Sequence, residues 1–128
     1  MVRVVRVHNT SRNSELASHA RVADRLGSRL LGLMFTDELA VQDDLGMRDG
    51  LVIDPCNSIH MCFMRYAIDV IFVDAEDAVI GQVENIQPWR FTKIYWGARR
   101  AVELPSGRIA QTGTHVGDTL EFQTVTNT

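Results

Sequence analysis

The sequence predicts an α+β fold: one compact, β-rich domain over residues 1–128, built on a mostly antiparallel, barrel-like sheet with two or three short helices. Three observations carry that expectation. The length, 128 residues, is close to the commonest size for one domain and is enough to bury about two-thirds of the unfolded surface. The composition, 45% apolar and 23% charged, is that of an ordinary globular chain and leaves no room for disorder or a fibrous repeat. From Leu51 onward, short valine- and isoleucine-rich runs alternate with Pro, Gly, Asn and Asp clusters, which is the punctuation of strands and turns.

Taken in order, Val2–His8 sets valines among arginines and reads as a partly exposed strand at a sheet edge. Asn9–Ser14 is a turn cluster. Asn13 or Ser14 can cap a helix that starts at Glu15, carries Leu16, Ala20, Ala23 and Leu26 along one stripe, and stops at Gly27. Ser28 can cap a second turn or two through Arg29–Phe35, and the acidic stretch Thr36–Gly50 reads as a surface loop. Strands are then expected at Leu51–Ile53, Ser58–Phe63, Ile68–Val73, Ala78–Ile86 and Ala101–Leu104, with Pro55, Pro88 and Pro105 at their ends, where a missing amide is tolerated. A short helix after Ser106, a turn at Val116–Asp118 and a last strand at Thr119–Val125 complete the chain. There is no internal repeat, linker or low-complexity tract.

A formal charge of −3 argues against the broad basic field that nucleic-acid or anionic-membrane binding usually requires, although it leaves local patches open. Nucleic acid is therefore not an expected partner. Nor is membrane insertion, because the first residues lack a signal-type apolar run and no segment approaches the ~20 apolar residues that span a bilayer. A soluble, cytoplasmic protein, monomeric or a small homo-oligomer, is expected. The only cysteines, Cys56 and Cys62, do not form a closely spaced redox or zinc pair and are read as reduced thiols.

The stretch Pro55–Asp74 places polar groups inside apolar runs. If Met64–Ala67 connects a hairpin, Phe63 faces Ile68, Cys62 faces Asp69 and His60 faces Ile71, so that His60, Cys62 and Asp69 share a face. A carboxylate there is partly buried and requires hydrogen bonds or a cation such as Arg65 or His60. One reading has Asp69 orienting His60 for acid–base work, or Arg65 holding an anionic group; the other, which stands ahead, is a structural network that pins the turn. Cys62 as a nucleophile lacks a recognisable oxyanion arrangement, and Cys56, His60 and Cys62 lack a fourth metal ligand, so no metal and no cofactor is expected. His8, His19 and His115 are read as solvated, in loops or on a helix surface. Trp89, Phe91, Tyr95 and Trp96, interleaved with Arg90, Lys93, Arg99 and Arg100, can stack on a ligand or can form a lid over the core.

Leu31–Phe35, Gly50–Ile53, His60–Asp74, Val83–Asn85 with Pro88–Trp89, Val102–Gly107 and Val116–Asp118 come in the order seen in the domain of unknown function 192 family, which the chain resembles over about residues 15–122. Ala67 stands where many members carry a proline. The resemblance implies a compact, β-rich α+β domain and no reaction. The function expected is a non-enzymatic ligand-binding or accessory module that takes a small molecule or a protein near His60, Arg65 and Asp69 beside Trp89; the alternative is a small hydrolase or transferase using a His60/Asp69 pair.

Overall fold

The computed structural model describes residues 3–23, 49–61 and 66–125. The described residues form seven strands, β1 (Arg3–Asn9), β2 (Ser14–Ala23), β3 (Gly50–Ile53), β4 (Ile68–Val73), β5 (Val79–Ile86), β6 (Arg100–Pro105) and β7 (Leu120–Thr124), with one short helix, α1 (Arg108–Thr112), between β6 and β7. The strands form one mixed sheet in the order β5-β4-β6-β3-β2-β1-β7. Every pairing is antiparallel except β2 with β3. The edge strands β5 and β7 are tied at one end by an Ala78–Thr119 bridge, by Val79 N–H donating to Asp118 O (2.8 Å) and by Leu120 N–H donating to Asp77 O (2.9 Å). Those bonds curl the sheet into a half-barrel.

Alternation explains the core. Along β1, Val5 and Val7 point inward while Arg3 and Arg6 stay exposed. All seven strands send apolar side chains to the inside of the curl, where Val7, Leu16, Ile71, Val102 and Leu104 pack with Ile109 of α1. On the other face of β3, β6, β4 and β5, a second cluster of Leu51, Ile53, Val70, Phe72 and Ala101 is covered by Ile59 and Met61. Strands buried on both faces read as continuous apolar runs, and this, Asp69 apart, is the pattern of Ile68–Val73.

Three expectations are corrected. The helix expected from Glu15 is instead β2 through Ala23, so α1 is the only helix among the described residues. The cause lies in its pairing with β1: the register slips twice, between Val5 and Val7 and again between Val7 and His8, each time leaving an extra residue on β2. Each bulge shifts the side-chain phase by one, and the buried set Leu16, Ala17, Ala20 and Ala23 then imitates a helical stripe. Asp49, expected in a loop, fills the first bulge: its carboxylate accepts Ser18 N–H (2.7 Å) and His19 N–H (2.9 Å). Second, β1 lies between β2 and β7, not at an edge. Third, Ser58–Met61 is not a strand of the sheet, because β4 already has β5 on one side and β6 on the other; His60 makes only an isolated bridge, to Phe91. His8 and His19 lie on strands rather than in a loop or on a helix. The turns expected at Arg29–Phe35, most of the acidic loop, and Cys62 and Arg65 lie outside the described residues.

Candidate functional site

Asp69, the second residue of β4, is fully buried. Its Oδ1 accepts Asn85 N–H (2.8 Å), and its Oδ2 accepts Gly107 N–H (3.1 Å) and Ile109 N–H (2.9 Å). The β4–β5 register slips between Ile68 and Val70, so Asn85 belongs to a bulge whose amide has no ladder partner. Gly107, the N-cap of α1, has no side chain to close the helix. One carboxylate from a neighbouring strand therefore satisfies both the bulge and the helix start.

His60 stands elsewhere, exposed on the segment that covers the second core cluster. That segment and the loop at 87–98 are laced together along their backbones. Met61 N–H donates to Arg90 O (2.7 Å), Trp89 N–H to Met61 O (2.8 Å), Thr92 N–H to Ile59 O (2.8 Å) and Tyr95 N–H to Asn57 O (2.8 Å). The buried Thr92 hydroxyl accepts Ile59 N–H (3.0 Å) and donates to Lys93 O (2.9 Å). The structure thus brings His60 and Trp89 together on adjoining segments, while Asp69 is engaged by β5 and the start of α1.

The aromatic residues divide into two roles. Tyr95 is the lid: its ring stacks on Phe72 at 4.3 Å between centroids and lies over Gly81, where a Cβ would overlap it. An isolated glycine inside a strand run is the sequence signal for such a close approach. The others face outward, with Trp89 60%, Phe91 78%, Ile94 47% and Trp96 80% exposed. Arg90 and Lys93 are exposed among them, and residues 87–99 contain no acid. Trp89 has a φ of 69°, a left-handed conformation that is rare for a bulky residue, and it is held there while its own N–H bonds to Met61. Replacing Gly81 with alanine is expected to drive Tyr95 off Phe72 and to cost about 1–3 kcal/mol. Urea unfolding measures the cost, and faster tryptic cleavage at Arg90 and Lys93 would report the freed loop.

Other polar residues hold the fold. Asp54 receives Arg99 Nε (3.0 Å) and Arg100 Nε (3.1 Å), and Arg100 also pairs with Asp77. Asn9 donates to Thr114 and Asp118 (both 3.0 Å), and Arg12 donates to Asp118, whose carboxyl is thereby held down at about 2. Glu103 differs. It lies on β6 between Leu51 and Val70, on the face of the second cluster, and no described residue bonds to its carboxyl; burial pushes it up to about 8. Among the described residues, no group of His, Cys, Asp and Glu could hold a metal ion, and no helix is long and apolar enough to cross a membrane.

A β-rich half-barrel carrying an outward-facing aromatic loop is the architecture of this chain, and the chain belongs to the domain of unknown function 192 family, described as uncharacterized ACR, which it matches over residues 7–122. Among its relatives, a UPF0127 protein of Pyrococcus furiosus is 34% identical over 119 residues, covering 89% of this chain and 95% of its own. A UPF0127 protein of Pyrococcus horikoshii is 32% identical over 117 residues, covering 91% and 97% respectively. A crystal structure of a protein of unknown function from Novosphingobium aromaticivorans has the same fold, with a TM-score of 0.74 at 22% identity, over 94% of this chain and 84% of that one.

Proposed function

We propose that this protein is a non-enzymatic binding module whose docking face is the loop at 87–98 with His60 beside it, and that it works in the cytoplasm as a monomer or small homo-oligomer. The observation that carries the reading is Trp89, a bulky residue at positive φ with most of its side chain in solvent. Folding alone favours glycine or asparagine at such a backbone position, so a tryptophan kept there with most of its surface in solvent is a choice that a binding surface explains. Phe91 and Trp96 extend the same exposed surface, and clustered aromatic side chains with arginine are the composition of binding hot spots.

Acid–base chemistry by His60 and Asp69 has less support, since both oxygens of Asp69 accept backbone amides. The arrangement favours Asp69 as a structural anchor. The test is Trp89→Gly: relief of the backbone strain offsets the lost side-chain packing, so the variant is expected to unfold in urea within about 1 kcal/mol of the parent. A loss well beyond that would make Trp89 a structural residue and defeat the reading.

A further inference from the structure

The geometry points to an anionic phospholipid surface as the partner of the aromatic loop, an inference that rests on the binding reading above and names its ligand class. Four features of the loop converge on it.

First, Trp89, Phe91, Ile94 and Trp96 are all large, apolar and exposed within eight residues of one another. A folded monomer gains nothing by keeping such a set in water. Ile94 has no π-face on which a base could stack, so the set is less suited to single-stranded nucleic acid than to a medium that accepts aliphatic and aromatic groups alike. Tryptophan and phenylalanine with neighbouring Lys and Arg are the residues that settle at the boundary between headgroups and acyl chains.

Second, the sign of the charge is right. Arg90 and Lys93 are exposed between the apolar residues, residues 87–99 contain no acid, and Asp54, which meets the end of the loop, is engaged by Arg99 and Arg100. A protein of net charge −3 is repelled as a whole by an anionic surface, so it would approach through a local patch where cations occur without acids.

Third, half of the loop's backbone amides are already bonded inside the protein. The N–H groups of Trp89, Arg90, Thr92, Tyr95 and Ala98 donate to Met61, Gln87, Ile59, Asn57 and Tyr95. Those five amides keep their bonds on entering the interface, where amides bonded to solvent would lose theirs. Fourth, Tyr95, stacked on Phe72 and seated over Gly81, fixes the loop to the sheet, so little conformational entropy remains to be lost on docking.

The chain has an internal reporter, because its only two tryptophans, Trp89 and Trp96, both lie in the loop. The full-length protein is mixed with vesicles of phosphatidylcholine alone, or of equimolar phosphatidylcholine and phosphatidylglycerol, and tryptophan emission and co-sedimentation are followed. Emission is expected to move to shorter wavelength with the anionic vesicles, and added salt should reverse the change. Removing one cation, in Lys93→Gln, is expected to weaken partitioning about fivefold. Removing one anchor, in Phe91→Ala, should weaken it about tenfold or more.

An unmoved spectrum with anionic vesicles overturns the inference. So does a spectrum that responds only to oligothymidylate or to polyglutamate, which would assign the face to nucleic acid or to an acidic protein. In either case Trp89→Gly of parent-like stability would leave the broader binding reading standing, so the two failures are distinguishable.

Discussion

Replacing Glu103 with glutamine is expected to stabilise the protein in alkaline buffer and to leave it nearly unchanged in acid. Burial raises the Glu103 carboxyl from an ordinary 4.5 to about 8, and no described residue supplies a donor or a cation to offset it. The folded state therefore keeps a proton that the unfolded chain releases. The sign follows: the contribution to stability is full below about pH 4.5 and is lost as pH rises toward 8, at up to ~1.4 kcal/mol per pH unit. The whole loss is on the order of 5 kcal/mol, a large part of a small domain's stability. Glutamine has the same shape and nothing to ionise, so its urea midpoint should exceed the parent's at about pH 9 and converge with it near pH 4.5. Parallel pH profiles for the two proteins would show that the carboxyl ionises at the same pH in the folded and unfolded chain, contrary to this reading. The opposite slope belongs to Asp118: with its carboxyl held at about 2 by Arg12, Asn9 and His115 N–H, its contribution is present above about pH 4 and fades as pH falls toward 2.

Asp69→Ala is expected to cost about 3–5 kcal/mol, the scale at which removing one side of a buried charged network strips its partners. Three amides, of Asn85, Gly107 and Ile109, lose their acceptor together. Asp69→Asn retains one carbonyl but turns an amide group toward donors, so it should recover only part of the loss. Denaturant unfolding gives the magnitude. Hydrogen exchange gives the place, since protection should fall first at Asn85 and along α1. A loss below about 1 kcal/mol for the alanine variant would mean that water or rearrangement satisfies these amides, contrary to the anchoring role.

Parts of this arrangement are legible in the sequence because they depend on local pattern. Ile68–Val73 is an apolar run broken only by Asp69, and Ala101–Pro105 is a valine- and leucine-containing run closed by proline, so both strands are visible where they occur. The helix after Ser106 and the turn before Asp118 are similarly marked by glycines at positive φ, Gly107 and Gly117. What escapes notice depends on neighbours distant in the chain. β2 hides its period because two bulges shift it, and a bulge is a property of pairing that one strand alone does not display. The pairing of His60 with Ile71 that proximity in sequence predicts does not form, because β5 and β6 take both sides of β4.

The candidate site divides along the same line. Asp69 stands out as a polar residue in an apolar run, but its partners are backbone amides, which carry no sequence signature. Glu103 looks like the solvent-facing member of an alternating strand, and only a sheet covered on both faces makes it buried. In the aromatic segment, the separation of the lid, Tyr95, from the exposed Phe91 and Trp96 depends on Gly81, a position assigned to another element.

The pairing of β1 with β7 sets a kinetic condition on the molecule. Asn9 reaches Asp118 across 109 residues of chain, and Val5 to Asn9 run along Thr124 to Leu120 for the length of the strand. Closing so long a loop costs entropy before its contacts repay any of it. The half-barrel is thus a slow folder by topology, since its first strand has to find its last. Until they pair, β1 offers an open ladder edge beside a valine-rich surface, so refolding yield should fall with protein concentration even where the finished fold is stable.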